Sequence, residues 1–275
     1  MFPRKAIALT TRTKLKNIRL VTMFVSTPMQ IKISDILLNY QILGKKNRPV
    51  VLVLHGWGRS LQEWLPLARF LSNNKKVILV DLPGFGNSSM PVNGFDTFNT
   101  ADYLKAFLKK IKVNQEITIV AHSFGAKVAI ILGSQEELKI KKLVLVAPPG
   151  LPASFRSKLL GKSSKIFKNS LGLILPSKIT KQIVNLLASS DFKQAGGLKQ
   201  SLTRVVQQPV VGKLQKLKQP IVFVWGDQDP ILPVKQVKVF KKAAPLAKVR
   251  IAWETGHDPH LENPGLTKEI ITEEI

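Results

Sequence analysis

Ser123 lies where a short apolar segment gives way to a helical one, in the stretch ITIVAHSFGAKVAIILG that spans residues 117–133. Residues 117–120 are apolar and mostly β-branched, which predicts a buried strand, and the apolar residues after Ser123 recur at helical spacing. Small residues stand two positions away on either side, Ala121 in place of the more usual glycine and Gly125, as a sharp strand-to-helix turn requires. A serine at such a turn is commonly a nucleophile, although an ordinary turn produces the same pattern.

Short apolar strands alternate with helices on both sides of this turn. After a predicted β-hairpin or pair of edge strands at 31–43, core strands are predicted at 50–54, 76–80, 117–120, 142–146, 221–225 and 248–252. Helices are predicted at 61–71, 100–111, 124–132, 235–243 and 266–272. This alternation predicts an α/β fold, in which helices cover both faces of a mostly parallel, doubly wound sheet.

Polar and glycine residues follow several of these strands. Because ligands of open α/β sheets bind beyond the carboxyl ends of the strands, these positions are where chemistry is expected. In chain order they are HGWG at 55–58, DLPGFGNS at 81–88, Ser123, the two carboxylates Asp227 and Asp229, and Gly256 with His257.

The order serine, acid, histidine, together with the segments HGWG, DLPGFGNS, HSFG, WGDQDPILP and TGHDPHLENP, closely resembles the α/β-hydrolase family. The resemblance runs from about residue 30 to the C-terminus and is weakest between residues 150 and 217 and at the extreme C-terminal end. It implies a sheet of about eight strands, with a helical lid inserted after the sixth strand, and a serine hydrolase of the esterase or lipase type.

The same resemblance implies a catalytic triad. A serine hydroxyl needs a base within hydrogen-bond reach, and of the four histidines His257 stands in the matching context. A carboxylate must then orient the imidazole, and the family pattern favours Asp229 over Asp227, whose side chain is expected to cap backbone amides. Asp258 is expected to be a solvated loop acid, and His122 to point away from the neighbouring Ser123.

Backbone amides are the usual donors to the oxyanion that forms when serine attacks a carbonyl. The resemblance assigns this role to the amides of Trp57 and Phe124, the second of which begins the predicted helix after Ser123. His55 lies in the family's oxyanion loop, and DLPGFGNS is expected to form a wall of the site without chemistry of its own.

Four segments follow from this pattern. Residues 1–29 form a basic extension, either disordered or upstream of a natural start at Met23. Residues 30–149 and 218–275 form the two parts of the hydrolase core. Residues 150–217 form the helical lid, which is expected to provide the substrate pocket.

The net charge of the chain bears on whether it binds an anionic partner. The chain carries 42 basic and 17 acidic residues, a net charge of +25, and residues 151–217 hold twelve basic residues and the single acid Asp191. Lysines on the solvated face of amphipathic lid helices would suffice to explain this excess. The alternative is weak contact between the lid and an anionic membrane surface.

Other classes of function are disfavoured. The absence of cysteine, of histidine ligand spacing and of a nucleotide-binding glycine pattern predicts neither a metal nor a cofactor. Without an apolar run of membrane-spanning length or a clear signal peptide, the chain is expected to be cytoplasmic. The expected partner is a small acyl substrate and not a specific nucleic acid. Carbon–carbon bond hydrolysis or acyl transfer by the same triad, and a basic non-catalytic binding protein, remain open.

Overall fold

The computed structural model describes residues 28–151 and 195–275. Eight strands form one sheet: β1 Met29–Ile33, β2 Ile36–Leu43, β3 Val50–Leu54, β4 Lys76–Val80, β5 Ile117–His122, β6 Ile140–Val146, β7 Ile221–Gly226 and β8 Lys248–Ala252. Their order across the sheet is β1-β2-β4-β3-β5-β6-β7-β8. β2 pairs antiparallel with β1 and β4, and every other pairing is parallel. The predicted α/β fold with a mostly parallel sheet of about eight strands is thus confirmed.

The described helices are α1 Leu65–Leu71, α2 Thr97–Lys110, α3 Phe124–Ser134, α4 Ala195–Gln207, α5 Val237–Ala243, α6 Pro259–Glu262 and α7 Pro264–Glu274. Short 3-10 turns occupy Leu61–Trp64, Val211–Lys216 and Val234–Gln236. No helix in the described ranges combines the length and the apolar character needed to cross a membrane.

Both faces of the sheet are covered, as a doubly wound fold requires. Leu104 and Phe107 of α2, with Val128 of α3, pack in a fully buried cluster on one face. Trp64 and Ile271 belong to the cluster on the opposite face, where α1 and α7 lie. Strands β3, β5 and β7 are buried along their whole length, which explains why they are mostly apolar in the sequence.

The helix boundaries differ from the sequence prediction where capping residues act. Helix α2 begins at Thr97 and not at residue 100, because the Asp96 side chain accepts hydrogen bonds from the amides of Phe98 and Asn99 in a capping box. The predicted helix 61–71 divides into a 3-10 turn and α1, whose first turn contains Pro66. Proline lacks the amide hydrogen that a helix interior needs but is tolerated in a first turn.

Two predicted segments fall largely outside the described residues. Of the basic extension 1–29, residues 28 and 29 are described, and β1 already begins at Met29. Of the lid 150–217, residues 152–194 are not described, and the remainder contains α4 and the 3-10 turn after it. The assignment of residues 1–29 as an extension and of residues 150–217 as a helical lid therefore remains a prediction. The insertion does follow the sixth strand, since it lies between β6 and β7.

Candidate active site

Ser123 stands between the last residue of β5 and the first residue of α3, with φ 48° and ψ −113°. A positive φ is strained for a residue other than glycine and persists only when the surroundings enforce it. Here the Ser123 amide donates to the carbonyl of Val146 on β6 at 2.9 Å. A Cβ on Gly125 would come within 2.6 Å of the His55 carbonyl oxygen, so the helix after the turn can approach β3 only with glycine at this position.

Ala121, the departure from the usual glycine, is fully buried in β5. It lies opposite Leu54 of β3 and Leu145 of β6, and its methyl group packs within the apolar cluster. The sharp turn at Ser123 therefore accommodates the methyl group that Ala121 has and glycine lacks.

A line of hydrogen-bond contacts connects Ser123 to His257 and Asp229. Nε2 of His257 lies 3.1 Å from Oγ of Ser123, and Nδ1 lies 2.8 Å from Oδ2 of Asp229. An ionised carboxylate can only accept, so Nδ1 carries the proton and Nε2 offers a lone pair to the serine hydroxyl. The structure thus brings together the three residues that the sequence proposes as nucleophile, base and acid.

Asp229 is held rigidly behind the histidine. Its side chain is buried, and its second oxygen, Oδ1, accepts from the amides of Ile231 and Leu232, each at 2.8 Å. The other candidate acid, Asp227, accepts from the amide of Thr255 at 3.3 Å and so joins the turn after β7 to the loop that carries His257. Its expected role as a cap of backbone amides agrees with this contact.

The amides of Trp57 and Phe124 have no hydrogen-bond acceptor among the described residues. Phe124 is the first residue of α3, whose initial amides have no partner within the helix and attract negative charge. The Trp57 ring packs against Phe124 and Phe85, with centroids 5.5 and 4.9 Å apart. The rings of Trp57 and Phe124 thus belong to one aromatic cluster with Phe85 and Phe95.

His55 shapes the loop that carries Trp57. It is buried, its Nε2 accepts from the amide of Leu82 at 2.9 Å, and its Nδ1 lies 2.7 Å from the carbonyl oxygen of Gly56. Burial lowers the pKa of His55, against the opposing influence of the Gly56 carbonyl and of nearby carboxylates. The neutral ring therefore joins the loop after β3 to the loop after β4.

Asp81 organises the DLPGFGNS segment. Its carboxylate accepts from the amides of Leu61 and Asn87 at 2.7 and 2.9 Å, and from the side chain of Asn39 at 2.7 Å. A Cβ on Gly86 would lie 2.3 Å from that carboxylate, so glycine is needed there. These contacts agree with the expectation of a wall without chemistry of its own.

Contacts around His257 go beyond the sequence prediction. The carboxylate of Glu262 accepts from the amides of Gly256 and Asp258, which flank His257 on both sides. Nε2 of His122 lies 2.9 Å from the carbonyl oxygen of His257. Glu262, the acid five residues after His257 in the segment PHLE, is the sequence signal that could have predicted these contacts.

Asp258 is a correction to the sequence prediction. It was expected to be solvated, but its carboxylate forms a 2.6 Å ion pair with Arg59, and its side chain is only 19% exposed. The loop after β3 comes close to the loop after β8 in the folded chain, and this brings a cation to Asp258.

Comparison with known proteins agrees with this architecture. A model of the α/β-hydrolase fold matches residues 49–167. The monoacylglycerol lipase abhd6-B of Xenopus laevis is 25% identical over 261 residues, which cover 85% of this chain and 77% of that protein.

Two solved structures share the fold. A bacterial membrane phospholipase A has a TM-score of 0.72 at 22% identity, over 90% of this chain and 85% of the other. For a putative lipase from Acinetobacter baumannii AYE the TM-score is 0.71 at 22% identity, over 90% of each chain. With its sheet order, its strand-to-helix turn at Ser123 and these matches, the chain has the α/β-hydrolase fold.

Proposed function

We propose that this chain is a serine hydrolase that cleaves a carboxylic ester, thioester or lipid-like acyl substrate through an acyl-enzyme on Ser123. The observation that carries the proposal is the continuous contact from Asp229 through His257 to Ser123, which stands at a strained turn between β5 and α3. The names of the similar proteins, a monoacylglycerol lipase, a phospholipase A and a putative lipase, support the class of ester hydrolase.

In the first half of the reaction, Oγ of Ser123 attacks the acyl carbonyl carbon while its proton passes to Nε2 of His257. The amides of Trp57 and Phe124 donate to the oxyanion that develops, and Asp229 stabilises the imidazolium. The tetrahedral intermediate collapses, the bond to the leaving alcohol or thiol breaks, and His257 returns the proton to that group.

In the second half, water attacks the acyl-enzyme. His257 accepts a proton from the water, and the second tetrahedral intermediate then releases the carboxylic acid as Ser123 regains its proton. The aromatic cluster that contains Trp57 and Phe124 would provide an apolar surface for the acyl group.

Labelling with a fluorophosphonate probe tests the nucleophile. The probe should label wild type but not Ser123→Ala. It should also label the control Ser134→Ala, which removes a hydroxyl at the far end of α3. Equal labelling of the Ser123→Ala variant, or no labelling of folded wild type, would refute the mechanism. Hydrolysis rates for esters and thioesters of increasing acyl length then measure which acyl group the site prefers. A substrate that is cleaved at a carbon–carbon bond, and an added alcohol that can accept the acyl group, test the two alternative reactions.

A further inference from the structure

Three metal-ligating side chains outside the proposed triad converge behind it. One oxygen of Glu63 and one nitrogen each of His122 and His260 all lie within 4.8 Å of one another. His122 and His260 are buried, with 1% and 7% of their surface exposed, and the side chain of Glu63 is 10% exposed. These residues are far apart in the sequence, and only the fold assembles them.

Each ligand comes from a different packed element. Glu63 lies in the 3-10 turn after β3, His122 ends β5, and His260 lies in α6. The His260 ring stacks on Trp64, with centroids 4.2 Å apart and an interplanar angle of 5°, and lies 4.7 Å from the His122 ring. Packing therefore restricts both imidazoles before any ligand binds, which reduces the ordering that binding would require.

Several polar atoms of this cluster make no hydrogen bond. Among the described residues, Oε1 of Glu63, Nδ1 of His122 and both ring nitrogens of His260 are buried without a hydrogen-bond partner. Nε2 of His260 comes within 3.3 Å of Oε1 of Glu63 but makes no hydrogen bond with it. Nε of Arg59 lies 3.8 Å from the other oxygen of Glu63, Oε2, and leaves Oε1 available.

The donor set suits a borderline-soft metal. Two imidazoles and one carboxylate are a ligand set that zinc uses in proteins. A carbonyl oxygen can only accept, so Nε2 of His122 donates to the carbonyl of His257. In the neutral ring the lone pair then lies on Nδ1, which has no hydrogen bond to a described residue.

We propose that Glu63, His122 and His260 form a binding site for a divalent transition-metal ion, with zinc as the best match. In four-coordinate zinc with bonds of about 2.0–2.1 Å, ligand atoms lie about 3.3 Å apart, so the site contracts on binding. Glu63 has the flexible side chain that can move. Water would complete the coordination of a site with three protein ligands.

Zinc titration by isothermal calorimetry tests the site on untagged full-length chain treated with EDTA. Wild type should bind one zinc ion, and cobalt in its place should give the visible absorption of a tetrahedral site. Glu63→Gln, which keeps the shape of the side chain, should weaken zinc binding by at least about tenfold. The matched control Glu116→Gln, at an exposed acid outside the cluster, should bind as wild type does.

A second variant, His260→Gln, should also lose affinity, with thermal unfolding in EDTA used to confirm that the chain is folded. No zinc binding by wild type would overturn the proposal. Unchanged affinity of Glu63→Gln would do so as well, since zinc would then be held elsewhere, for example by His257 and Asp229. Because zinc binding is measured without turnover, and Ser123→Ala should bind as wild type does, the result is independent of the proposed hydrolase activity.

Discussion

At the scale of single residues, the proposed chemistry depends on which carboxylate faces His257. Two acids follow β7, and the sequence separates them only through the spacing of a family pattern. In the structure Asp229 lies against Nδ1 of His257, whereas Asp227 accepts from the amide of Thr255. The two acids therefore provide a matched pair for mutation.

We expect Asp229→Asn to lower kcat by about 10⁴-fold with little change in KM, because an amide there favours the wrong imidazole tautomer. Asp227→Asn should retain most of the activity, since it changes one backbone contact of a loop. Steady-state kinetics on a short-chain ester measures both. A loss in Asp227→Asn as large as that in Asp229→Asn would contradict the assignment.

His55 is expected to make stability depend on pH. Its folded-state pKa lies below the ordinary value of 6.5, chiefly because of burial, so the unfolded chain binds the proton more readily. The stabilising contribution is therefore complete above pH 6.5 and decreases as pH falls below that value. Protonation would also remove the lone pair that accepts from the Leu82 amide.

Thermal unfolding between pH 7 and pH 5 should accordingly show a falling Tm. The control is His55→Asn, whose amide side chain does not titrate in this range, and the fall should be shallower in it. Identical slopes in the two proteins would assign the pH dependence to other groups, including His122, whose pKa burial also lowers.

At the scale of elements, local sequence patterns predict the strands closely and the helix ends less well. The predicted strand 50–54 coincides with β3, because five consecutive buried apolar residues carry a clear signal. Helix α2 starts three residues before its predicted start, and α7 starts at Pro264 and not at residue 266. Both differences arise from polar caps, Asp96 and Asn263, which lie outside the apolar periodicity.

The cap at Asp96 gives a stability prediction. Asp96→Ala removes the acceptor for the amides of Phe98 and Asn99 and should lower the free energy of unfolding by about 1 kcal/mol. Asp102→Ala, at a largely exposed position of the same helix, is the control and should change it by less than half as much. Urea unfolding followed by circular dichroism measures the difference, and equal losses would argue against the capping role.

At the scale of the whole molecule, the net charge of +25 is the property that the proposed chemistry does not use. Clustered lysines attract anionic surfaces over a screening length of about 10 Å at 0.1 M salt. The basic lid predicted at 150–217 would then bring the chain to membranes that contain anionic lipid, where lipid-like esters reside. This membrane contact is a proposal that rests on the sequence.

Cosedimentation with vesicles of phosphatidylserine and phosphatidylcholine should show binding that falls as salt is raised, and little binding to phosphatidylcholine alone. Replacing Lys162, Lys165 and Lys168 of the predicted lid with glutamine should weaken binding more than the same change at the exposed residues Lys109, Lys139 and Lys141. Binding that depends on neither anionic lipid nor salt would contradict the proposed membrane contact of the basic lid.

The sequence by itself determined the α/β alternation and the sharp turn at Ser123, because apolar periodicity and small residues at a turn are properties of neighbouring positions. Its resemblance to the α/β-hydrolase family indicated the candidate acid and base. Only the tertiary structure decided which distant side chains meet. It paired Arg59 with Asp258 and brought Glu63, His122 and His260 together. The physical reason is that such contacts depend on the order and direction of the strands. β3 lies beside β5, and β3 and β8 run parallel, so the loops that follow them leave the same end of the sheet.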